Sequence, residues 1–100
     1  MRKQTILIKE ILKKHFPNTK CSVRFIQAHQ YVDTSDKIII KVSNVDYNQI
    51  YTIINSYTKG IKICKKGFCV SITGLNKPEI YNIHTKQFED ADLLEFIEID

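Results

Sequence analysis

Apolar positions repeat at helical spacing near the N-terminus: Ile8, Ile11, Leu12 and Phe16, with Leu7 beside them, fall three and four residues apart. Lys9, Lys13 and Lys14 fall on the opposite face. The pattern predicts an amphipathic helix over Thr5 to Phe16, with Thr5 as N-cap and Pro17-Asn18 as the stop. From Lys20 to Ala28 the period changes to two: Cys21, Val23 and Phe25 share one side, Ser22 and Arg24 the other. Residues His29 to Asp36 are polar and turn-like. Lys37 to Ser43 alternates again, with Ile38, Ile40 and Val42 inward, so the two runs predict an antiparallel hairpin.

Asn44 or Asp46 can cap a second helix, on which Tyr47, Ile50, Tyr51, Ile54 and Tyr57 form a single core-facing stripe; Gly60 suits a left-handed C′ position. Ile61 to Cys64 and Phe68 to Thr73, joined by Lys65-Lys66-Gly67, predict a second hairpin. Gly74 to Pro78 reads as a loop and Glu79 to Thr85 as a strand. The last segment, Phe88 to Asp100, fits either a helix or a turn at Asp90–Asp92 followed by a closing strand; the second reading is preferred. The order α-β-β-α-β-β plus a mixed C-terminal segment predicts one α+β domain over residues 1–100. Its expected form is a two-layer sandwich with both helices on one face of a largely antiparallel sheet.

Charge changes this picture more than composition does. The net charge of +4 hides a division: all fifteen basic residues and five of the eleven acids lie in residues 1–86, and the other six acids, with no base, lie in 87–100. A basic body with an acidic end fits intramolecular compensation first, and a nucleic-acid face with a competing acidic segment second. Thirteen of the bases are lysine, and only Arg2 and Arg24 carry the planar fork that reads guanine or clamps phosphate, so a dedicated sequence reader is not expected. No apolar run approaches the roughly 20 residues that span a bilayer. Met1-Arg2-Lys3-Gln4 meets Lys9, Glu10, Lys13 and Lys14 with no apolar stretch of a signal peptide between, so a cytoplasmic location in a host cell is expected.

The three cysteines, Cys21, Cys64 and Cys69, are odd in number and are expected to be three free thiols in the core. Cys64 and Cys69 are wider apart than a usual zinc knuckle, and His29, His84 and Cys21 lie far off in sequence, so no metal and no other cofactor is expected.

The helix IKEILKKHFPNTK, the strand CSVRF, the strand DKIIIKVSN and a helix opening at Asp46 resemble the small domain called large polyvalent protein-associated domain twenty-nine. The matching residues are Leu12, Lys13, Phe16, Pro17, Lys20, Ser22, Val23 and Arg24. The likeness covers the first half of the chain. It departs after the second strand, where Val42-Ser43-Asn44-Val45 stands in place of the family's Trp and Gly-Pro step. The resemblance implies a phage or mobile-element accessory protein and brings no catalytic residues with it.

No phosphate-binding loop, dinucleotide fingerprint, metalloprotease helix or nucleophile elbow is present. A Cys–His pair from Cys21 or Cys69 with His84 or His29 is conceivable, but thiols in apolar strand patterns are core residues first. His15 is a cation suited to a helix C-terminus. The chain is therefore read as non-enzymatic. Its expected function is to bind a host protein or ribonucleoprotein, with an anti-defence inhibitor of the anti-CRISPR kind as the sharpest version. The alternative is a small basic nucleic-acid-binding protein. Lys62, Lys65, Lys66 and Phe68, a basic turn with an aromatic beside it, are the candidate nucleic-acid contacts. Glu89, Asp90, Asp92, Glu95 and Glu98 are the candidate contacts for a basic partner.

Overall fold

A computed structural model describes residues 2–27, 36–68 and 77–100 of the chain. Two helices, α1 (Lys3–His15) and α2 (Tyr47–Ser56), accompany seven strands: β1 (Cys21–Ile26), β2 (Asp36–Val42), β3 (Thr58–Lys59), β4 (Lys62–Lys65), β5 (Glu79–Asn82), β6 (Gln87–Asp90) and β7 (Leu94–Ile99). The strands form a four-stranded sheet in the order β1-β2-β7-β4 and a three-stranded sheet in the order β3-β5-β6. The α+β class is as the periodicities predict.

The first half of the chain follows its pattern closely. Leu7, Ile8, Ile11 and Leu12 are the buried stripe of α1, and Phe16 closes it. The helix begins two residues earlier than predicted, with Arg2 at the N-cap, so Thr5 is a buried residue inside the helix and not its cap. β1 and β2 pair antiparallel with Cys21 opposite Val42 and Phe25 opposite Ile38, which turns Val23, Ile38, Ile40 and Val42 to one face. Asp46 is the N-cap of α2, and the Gln49 side chain accepts its backbone N–H at 3.2 Å. That helix ends at Ser56, earlier than Gly60 suggests, because Tyr57 turns the chain into β3. Gly60 does take a left-handed φ of 70°, but in the bend between β3 and β4.

The antiparallel expectation holds for β1–β2 and for the whole small sheet, and it fails at β7, which runs parallel to both β2 and β4. The physical reason is the helix between β2 and β4. A crossover helix returns the chain to the same end of the sheet, so β2-α2-β4 forms a parallel unit with a gap of one strand. β7 fills that gap. The second arm of the expected hairpin after Gly67 lies outside the described residues; the turn itself is present, with Gly67 at φ 86° and the Phe68 amide donating to the Lys65 carbonyl at 2.9 Å. The strand expected over Glu79 to Thr85 ends at Asn82, where a turn through Lys86 (φ 60°) leads into β6. The closing strand after Asp92 (φ 56°) is β7, as preferred from the sequence.

One apolar core joins both helices and both sheets. Ile50 and Ile54 of α2 meet Leu7, Ile8, Ile11 and Leu12 of α1 over Ile38, Ile40, Ile97 and Ile99 of the large sheet, and Ile80 and Ala91 bring in the small one. Side chains alternate along a strand, so Phe96 and Glu98 point to the sheet face opposite the helices. Both are nonetheless buried.

Candidate nucleic-acid interface

The turn after β4 carries the basic and aromatic residues singled out in the sequence, and the register separates them. Ile63 pairs with Ile97 and Lys65 with Ile99, so Lys65 emerges on the helix side of the sheet, at its rim. Lys62 pairs with Phe96 and belongs to the opposite face. Lys65, Lys66 and Phe68 therefore form one group and Lys62 stands apart from it.

That group lines an open groove of about 330 Å³ between the β4 turn and the start of α2, with Tyr47 and Ile50 on its other wall and Asp100 at one end. The Lys65 ammonium lies 5.1 Å from the centre of the Tyr47 ring, a cation–π contact. Tyr47 in turn packs on Tyr51 with ring centres 5.9 Å apart. Burial, with Tyr51 adding to it, raises the Tyr47 phenol above its ordinary pKa. Tyr51, expected in the core stripe, lies at the rim at 37% exposure. Phe68 is 76% exposed, so most of its ring is open to solvent. Lys66 makes an exposed ion pair with Asp100 at 3.6 Å.

The acidic residues of the C-terminal segment are spread through the fold and most have intramolecular work. Glu98 is buried and pairs with Lys37 at 3.4 Å. Glu89 accepts a hydrogen bond from the Asn82 side chain. Asp90 accepts the Asp92 backbone N–H at 2.8 Å, and Asp92 accepts from Gln4 Nε2 at 3.0 Å. Glu95 also has a partner. Glu89 and Asp90 lie on β6, Asp92 in the following turn, and Glu95 and Glu98 on β7, so no single face gathers them.

Two further sequence expectations meet the structure here. Cys64 is disulfide-bonded, which overturns the expectation of three free thiols; Cys21 is free and half-buried, and Cys69 lies outside the described residues. A free and a bonded thiol look alike in a sequence, because the bond depends on Cα separation and the aim of the Cβ atoms. Denatured, unreduced protein is expected to take up alkylating agent at Cys21 and not at Cys64, read by peptide mass spectrometry; labelled Cys64 would contradict the bond. His15 ends α1 as expected and also lies within hydrogen-bond distance of the Tyr57 hydroxyl, 2.9 Å from its Nε2. His84 pairs with Glu10 at 3.2 Å, and His29 lies outside the described residues. Among the described residues no three His, Cys, Asp or Glu side chains converge as metal ligands would, and no helix is long and apolar enough to cross a membrane.

No family model, curated protein or solved structure matches this chain.

Proposed function

We propose that the protein acts by binding and not by catalysis, as an accessory protein of the phage and mobile-element kind that its first half resembles. We assign single-stranded nucleic acid to the groove beside Phe68. The observation that carries this reading is the exposed Phe68 ring standing next to Lys65 and Lys66 on the groove that Tyr47 walls. An uncovered ring offers a stacking face to any base, and the lysines follow the phosphates, a combination that tolerates sequence and needs no arginine fork. The scarcity of arginine fits such a reader. Glu98 and Asp100, paired with Lys37 and Lys66, support compensation of the basic body over a surface for a basic partner.

Anisotropy with short labelled DNA and RNA strands tests the assignment. Phe68→Ala is expected to weaken binding about tenfold. Replacing Lys65 and Lys66 together by Gln is expected to flatten the dependence of log K on log salt by about 1.4. Asp100→Asn separates the two readings of the acidic end. It releases Lys66 and is expected to tighten nucleic-acid binding about two- to threefold, whereas loss of a contact to a basic partner weakens binding. Failure of any strand to bind at low salt overturns the assignment and leaves a host protein as the occupant.

A further inference from the structure

A second groove lies at the other end of α2, roughly 15 Å from Tyr47 along the helix axis. Its volume is about 320 Å³, and Tyr57, Tyr81 and Phe88 supply its floor while Lys14 and Lys86 stand on its margin. The three rings form a continuous chain: Tyr57 to Tyr81 is 5.6 Å between centres, and Tyr81 to Phe88 is 5.2 Å with the rings edge to face. Register explains their meeting. Tyr81 and Phe88 are opposite one another on β5 and β6, and the Tyr81 amide donates to the Tyr57 carbonyl at 2.8 Å. None of the three is fully buried, so aromatic surface remains available at the groove. The Lys59 ammonium sits 4.1 Å from the centre of the Phe88 ring, in the cross-strand row that Lys59 shares with Glu79 and Asp90 and outside the groove lining.

Two features set this apart from a surface on which rings happen to collect. The rings are held: His15 reaches the Tyr57 hydroxyl at 2.9 Å, and Tyr81 packs against both Tyr57 and Phe88, so little ordering remains when a ligand arrives. The charge is one-sided: among the described residues that line the groove none is a carboxylate, and both charged ones are lysines. The acids nearest on that sheet face, Glu79 and Asp90, face each other at the far end of the β5–β6 ladder from Lys86.

We infer that this groove is a second binding site, which takes a base and its phosphate from single-stranded nucleic acid. The lysines match the phosphate and the rings match the base; an unpaired strand is the form in which a base is free to reach them. Only the class of ligand rests on the function proposed above, since the residues are different and lie at the opposite end of α2.

Amide chemical-shift mapping of the full chain with a short oligothymidylate and the matching oligouridylate tests the inference and separates it from that function. Shifts at Lys14, Tyr57, Tyr81 and Phe88 are expected with either strand. Phe88→Leu, which keeps an apolar side chain and removes the ring, is expected to weaken binding about five- to tenfold while leaving the remaining spectrum folded. Lys14→Gln with Lys86→Gln is expected to lower the salt slope by about 1.4. Shifts confined to Tyr47 and Lys65 through Phe68 overturn the second site and keep the first. Shifts at the second groove alone overturn the first and keep the second. Unchanged affinity and salt slope in these variants, or no shift with either strand, overturns the second site.

Discussion

Ile97→Ala is expected to cost about 3 kcal/mol of stability, and with it roughly 12–25 °C of melting temperature. Ile97 is fully buried on β7, the strand that joins β2 to β4, and lies opposite Ile38 on one side and Ile63 on the other. Truncation there removes transfer energy and leaves a cavity between two helices and two strands that cannot all close on it. A domain of this size has about 5–15 kcal/mol in total, so one such change leaves it near the edge of folding. Leu93→Ala, four residues away and 80% exposed, is the matched control and is expected to stay within about 0.5 kcal/mol of the parent. Thermal or urea denaturation reads both. Equal effects for the two variants would mean that β7 does not occupy the centre of the sheet.

The same strand shows where pattern reading runs out. Leu94, Phe96, Ile97, Glu98 and Ile99 are all buried, so both faces of β7 are covered and the alternation that marks β1 and β2 is absent. A run of this length without a clean period of two also fits a helix, which is why Phe88 to Asp100 admits two readings. Its partners are just as hard to see. β2 ends at Val42 and β4 at Lys65, and the crossover that makes them parallel depends on where α2 packs, not on any residue inside the strands. By contrast, α1, β1, β2, an opening of α2 at Asn44 or Asp46 and the Gly67 turn follow from spacing alone, because each is decided by neighbours within a few residues.

The candidate sites divide along the same line. Lys65, Lys66 and Phe68 are consecutive enough to be read as a group, though only strand register separates Lys62 from them. The second groove draws on Lys14, Tyr57, Tyr81, Lys86 and Phe88, whose meeting requires α1, the end of α2 and the small sheet to be in place. Of its three rings the sequence pattern places only Tyr57, on the core-facing stripe of the second helix. Glu98 stands in the sequence among the candidate contacts for a basic partner; the fold puts it inside a central strand.

That position makes the Lys37–Glu98 pair a sensitive point, and the two halves of the pair are expected to respond unequally. Their charged atoms are 3.4 Å apart, with the Lys37 side chain 27% exposed and that of Glu98 8% exposed. If Glu98 is replaced by Leu, the lysine stem can stay on the sheet while its ammonium turns to water, and the expected cost is about 1 kcal/mol. If Lys37 is replaced by Met, the carboxylate is left nearly enclosed with no cation beside it, and the expected cost is about 2–3 kcal/mol, reduced from the figure for a fully buried pair because Lys37 reaches solvent. Replacing both together, Lys37→Met with Glu98→Leu, removes the stranded charge and restores most of the loss, since packed apolar side chains of similar volume hold such positions as well as an ion pair does. Urea denaturation of the four proteins closes the cycle. A double variant whose loss equals the sum of the two single losses would show that the pair is not coupled, and equal single losses would show that the burial of Glu98 does not set the cost. The coupled outcome also bears on function, because a carboxylate held in this way by Lys37 is committed to the fold and is not free to meet a basic partner.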